Sequence, residues 1–117
     1  MKHFKPEEFA CKCCGKIKVD SWFGTKLDRA REIAGVAFVI TSGYRCPTYN
    51  ISVGGKKNSA HVHGKAVDIL ASNSTHRFFI MEGLMKAGFN RIGIGADFIH
   101  ADTDETKQEG VIWHYYD

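Results

Sequence analysis

The sequence predicts a small α+β fold in which a mostly antiparallel sheet carries two main helices. Two segments, 20–35 and 73–88, place apolar residues at helical spacing between cap signals. Five short runs rich in β-branched residues read as strands, and the last three crowd into a hairpin-like cluster near the C-terminal end. With 117 residues, 44% hydrophobic and 25% charged, the chain suits one domain over residues 1–117 with a single core.

The elements follow in order. "FKPEEFACKCCGK" reads as a short helical turn and a loop ending at Gly15. In "DSWFGTKLDRAREIAG", Asp20 or Ser21 caps a helix that Gly35 ends, with Phe23, Leu27, Ala30 and Ala34 on its core face. "VAFVITSG" is a buried strand candidate. The polar stretch "YRCPTYNISVGGKKNS" reads as a long functional loop, since it leads straight into a pair of histidines. In the strand "KAVDILA", Val67 and Ile69 face one way and Ala66, Asp68 and Leu70 the other. "NSTHRFFIMEGLMKAG" is the second helix, with Ser74 as cap, Gly88 as stop and a stripe of Phe78, Met81, Leu84 and Met85. "RIGIG", "FIHADT" and "VIWHYY" complete the sheet, the last two joined by the polar "DETKQEG".

Composition excludes several classes. The net charge of +3 is mild and its cations are dispersed, which argues against nucleic-acid binding. No apolar run spans a membrane, and the N-terminus lacks a signal-peptide pattern. The expectation is synthesis in the cytoplasm, with release by another agent if the target lies outside. Cys11 and Cys14 have the spacing of a redox or zinc-knuckle pair, with Cys13 between them and Cys46 far away. Lacking a second ligand pair, they read as buried or free thiols; a disulfide to Cys46 is the minor alternative. No H-E-x-x-H, P-loop, G-x-G-x-x-G or G-x-S-x-G occurs.

The chemistry concentrates in "SAHVHGKAVDI". His61, His63 and Asp68 suit a zinc site, which in enzymes takes three protein ligands and leaves one position open. A bend at Gly64 would let a histidine and Asp68 converge, and a side chain there would not be tolerated. His100 in "FIHAD" is the best third ligand. Spacing does not choose between His61 and His63, which share a face on an extended segment.

These segments together resemble the zinc D,D-carboxypeptidase family of cell-wall peptidases, which includes phage L-alanoyl-D-glutamate endopeptidases. Ser59, His61, Gly64, Ala66 and Asp68 match its S-x-H-x-x-G-x-A-x-D hallmark, and His100 with Asp102 matches its later histidine motif. The similarity runs from about Ser42 to Thr103, and "EEFACKC" resembles the start of small phage-type members. The resemblance implies a Hedgehog/DD-peptidase-like fold and a Zn2+ cofactor on His61, Asp68 and His100, with His63 outside the ligand set. It implies that Arg45 contacts the substrate carbonyl or carboxylate and that Asp97 is the general base. On a regular strand Asp97 and His100 point to opposite faces, so that role requires a turn between Gly95 and Phe98. Ser59 and Asp102 are candidates to touch substrate or orient a ligand, and Asp102 is the rival base. "TDETK" departs from the arginine that family members often carry there.

The implied reaction is hydrolysis of a peptide bond in a peptidoglycan stem peptide by a monomer, in the manner of a phage endolysin, a virion enzyme or a small bacterial peptidase. The alternative is a non-catalytic, zinc-stabilised binding module like the Hedgehog signalling domain. Arg45 together with an acidic Asp97 favours the enzyme.

Overall fold

The computed structural model describes residues 1–115 and contains both long helices. Helix α1 spans Ser21–Ala34, with Asp20 Oδ2 accepting from the Phe23 N–H at its start and Gly35 in the left-handed region at its end. Phe23, Leu27, Ala30 and Ala34 are all buried, as the spacing predicts. Strand β1 (Ile40–Ser42) is shorter than the run 36–43 suggests. Phe38 is buried, but the ladder to the next strand runs only over Ile40–Ser42 and is irregular there, with one further bond from the Leu70 N–H to Val39 O at 2.8 Å. The long polar loop is not structureless: it holds a short helix, α2 (Pro47–Ser52), begun by Pro47 at its first turn.

Strand β2 (Ala66–Leu70), helix α3 (Ser74–Lys86), and strands β3 (Arg91–Ile94), β4 (Phe98–Asp102) and β5 (Val111–His114) follow. Asn73, not Ser74, caps α3, its side chain accepting from the His76 N–H. The expected stripe of α3 is corrected too. Ile80, Gly83 and Leu84 are buried and Met81 packs against the core, but Phe78 and Met85 are more than half exposed. Tyr116, the end of the strand expected over 111–116, lies outside the described residues.

The sheet has five strands in the order β1-β2-β4-β3-β5. Every pairing is antiparallel except that of β5, which runs parallel to β3 instead of continuing a hairpin from β4. Val67, Ile69, Ile92, Ile99 and Ala101 form its core face with the helices. Asp68, His100 and Asp102 alternate with them and occupy the opposite face. The core therefore braces one side of the sheet and leaves the other for polar chemistry.

The helices lie close at Gly83. A Cβ there would stand 2.4 Å from Ala30 O and 2.8 Å from Ala34 Cβ, contacts with little freedom to yield. Alanine is ordinarily worth about 1 kcal/mol over glycine inside a helix. Gly83→Ala is nevertheless expected to destabilise the protein by about 1–3 kcal/mol through overpacking. Urea unfolding measures this, and a gain in stability would contradict the packing.

Candidate metal centre

Register brings two of the candidate ligands together. Asp68 on β2 is paired directly with His100 on β4, so both project from the polar face of the sheet. His61 arrives from outside the sheet, on a 3-10 turn over Ala60–His63. Ser59 opens that turn, its hydroxyl oxygen accepting from the His61 N–H at 3.2 Å. Gly64 ends it at φ 68°, and a Cβ there would sit 2.6 Å from Lys18 O. Glycine is thus required twice, by backbone conformation and by close approach.

The result is a three-atom convergence. One ligand atom each from His61, Asp68 and His100 lies within 4.8 Å of the others. His61 Nε2 is 3.4 Å and His100 Nδ1 3.1 Å from the same oxygen, Asp68 Oδ1. Each imidazole is oriented through its other nitrogen. His61 Nδ1 is 2.8 Å from the Gly43 carbonyl, which can only accept, so that nitrogen carries the proton. His100 Nε2 is 2.7 Å from Asp102 Oδ2. This is the backing that metal-binding histidines usually have.

The electrostatics call for a cation. Burial is the largest influence on His61 and lowers its pKa, leaving it neutral with its proton on Nδ1. Its Nε2 lone pair then faces a carboxylate oxygen, an arrangement that a positive ion relieves. Burial acts on His100 in the same direction, but hydrogen bonds to Asp102 and Asp68 outweigh it and raise its pKa. A proton on His100 Nδ1 therefore takes the place of a cation beside Asp68. Burial would raise the Asp68 pKa, yet the hydrogen bond from His100 holds it well below the usual carboxylate range. Two imidazole nitrogens and one carboxylate oxygen are a donor set suited to zinc.

Around this centre, Arg45 Nη2 is 3.3 Å from Asp68 Oδ2, which leaves Oδ1 to the histidines. Arg45 is fixed in turn by Ser42 Oγ at 3.0 Å and Asn50 Oδ1 at 3.3 Å. Asp102 is only 2% exposed; besides His100 it accepts from Arg91 Nε at 2.8 Å and from the Asp104 N–H. These bonds hold its carboxylate against His100. Trp113 lies across Gly93, its ring centroid 5.4 Å from that of His100 and 5.1 Å from the Arg91 guanidinium carbon. Arg91, Gly93, Trp113 and Asn50 were not foreseen as parts of the site.

Two sequence candidates stand apart from the three-atom group. His63 is exposed. Asp97 is exposed in the turn between β3 and β4, which the Gly95 N–H closes on Phe98 O at 2.9 Å. The turn required by its expected role is therefore present. Its carbonyl accepts from the Ala71 N–H.

A family model described as Peptidase M15 matches residues 2–102, a span that contains all three ligands. The chain belongs to the M15 peptidase family. Membership implies a metallopeptidase. A search of curated proteins finds no match to the sequence.

For this M15 chain, elemental analysis is expected to find that His61→Ala removes bound zinc while His63→Ala keeps it. Equal loss in both variants would contradict the ligand set. Asp102→Asn keeps the shape of the residue behind His100 but removes its charge, and is expected to weaken zinc binding by about 10–100-fold.

Proposed function

We propose that this M15 peptidase hydrolyses a peptide bond in peptidoglycan stem peptides, as a D,D-carboxypeptidase or an L-alanoyl-D-glutamate endopeptidase. The convergence of His61, Asp68 and His100 on one point, with each histidine backed by an acceptor, carries this reading. In it, residues 1–117 act as one zinc-peptidase domain and as a monomer. Among the described residues no helix is long and apolar enough to cross a membrane. We place its action at the cell wall after release by another agent, as for a phage lysis enzyme.

Zinc, when bound, supplies a Lewis acid that polarises a carbonyl and makes water acidic near neutral pH. The chain supplies the rest. Asp97 accepts the proton of the attacking water and passes it to the leaving amine as the C–N bond breaks. Arg45 keeps Asp68 in place and turns its remaining exposed edge toward the substrate carbonyl or carboxylate. Asp102, bonded to His100 and Arg91, serves orientation rather than proton transfer. Three residues of strand put Asp97 about 10 Å along β4 from His100. Its turn must therefore fold toward the centre, or reach it through water, when substrate binds.

Muropeptide digests read by mass spectrometry test the function. New amine and carboxyl ends are expected with zinc and none with chelator, and the fragment masses identify the bond. A zinc-loaded chain that cleaves nothing would favour a binding module instead. Asp97→Asn is expected to retain zinc and fold but lose about 10²–10⁴-fold in turnover. Full activity in that variant would remove Asp97 from the mechanism.

A further inference from the structure

A second group of ligand-type side chains lies outside the histidine–carboxylate centre. The Sγ atoms of Cys11, Cys14 and Cys46 lie within 4.8 Å of one another. Two segments far apart in sequence supply them. The turn Cys11–Gly15 closes through the Gly15 N–H to Cys11 O at 2.8 Å, and the Cys11 N–H reaches Lys16 O at 2.8 Å. Gly15 takes φ 74°, which the tight turn demands. Cys46 precedes α2, and its sulfur accepts from the Tyr49 N–H at 3.4 Å.

Backbone amides surround the sulfurs. Cys11 Sγ accepts from the Cys46 N–H at 3.4 Å, and from the amides of Cys13 and Cys14 within its own turn. Cys14 Sγ accepts from the Lys16 amide. An amide pointed at sulfur favours the thiolate, the form that binds metal. Cys13 is exposed and lies outside the group.

We propose that Cys11, Cys14 and Cys46 hold one structural zinc ion, separate from the His61–Asp68–His100 centre. Three convergent thiolates select a soft or borderline cation such as zinc. The ion joins Cys11 to a residue 35 positions later, closing a long loop. The clip fastens the residue next to Arg45. It reinforces the bond from the Tyr44 N–H to Phe9 O at 2.9 Å, which ties the same two segments. Gly43, whose carbonyl orients His61, lies in the fastened stretch. The cysteine site thus braces one side of the catalytic centre without contributing to its chemistry.

Cobalt(II) titration of the metal-free, fully reduced chain tests this, because a cysteine site gives a sulfur-to-cobalt charge-transfer band and a histidine–carboxylate site does not. In the His61→Ala chain, where the other centre is disabled, the band is expected to saturate at one equivalent. Cys14→Ser alters an exposed side chain, so folding is preserved, and is expected to abolish the band. Cys13→Ser and His61→Ala are expected to keep it. The band reports only on the cysteines, so failure of this site and failure of the catalytic one are read separately. Absence of the band in the reduced chain, or its survival in Cys14→Ser, overturns the proposal. So does a Cys11–Cys46 disulfide, found by mass spectrometry in chain isolated with zinc present.

Discussion

The antiparallel register that sets Asp68 opposite His100 is the constraint on which the rest of the centre depends. Side chains alternate along a strand, so a slip of one residue in either strand would turn its candidate ligand into the core. Val67, Ile69, Ile99 and Ala101 prevent that slip, because each is fully buried against the helices. The hydrophobic effect, acting on one face of the sheet, thereby fixes the polar geometry of the other. The close approach of α1 and α3 at Gly83 belongs to the same arrangement, since these helices cover the core face.

On the polar face, charges alternate in a continuous line. Arg91 bonds Asp102, Asp102 bonds His100, His100 meets Asp68, and Asp68 meets Arg45. Each buried carboxylate is flanked by donors, so neither Asp68 nor Asp102 is left as an unpaired buried charge. The line is open at one place. Neutral His61 presents a lone pair to Asp68 Oδ1, and no proton of its own lies between them. A divalent ion would complete the pattern there, which gives the candidate ligand set a physical reason beyond its motif.

Much of this was legible in the sequence. Helix α1 was clear because cap, stop and apolar spacing agree. Ala66–Leu70 was clear because its alternation is regular. Helix α3 misled because Gly83 makes its closest contact, and a glycine leaves no mark in a hydrophobic pattern. Phe78 and Met85 did leave one, yet they face outward. The two histidines could not be separated by spacing on an assumed extended segment; on a 3-10 turn, His61 is buried and His63 exposed. The family resemblance points to His61, and His61 is the one that lies in the three-atom group. Arg91 and Trp113 were illegible because their places depend on the crossover that runs β5 parallel to β3, and no local signal announces that pairing. The cysteines looked unremarkable in sequence because only the fold brings Cys46 to Cys11 and Cys14.

The central claim is that the sheet register and the two backing bonds aim three specific atoms at one metal ion. A crystal structure of the zinc-loaded protein, with the ion located by its anomalous scattering, tests it most directly. Zinc is expected on His61 Nε2, Asp68 Oδ1 and His100 Nδ1, with His61 Nδ1 still on the Gly43 carbonyl and His100 Nε2 still on Asp102. Zinc bound through His63, through Asp102, or through the opposite nitrogen of either ring would contradict it.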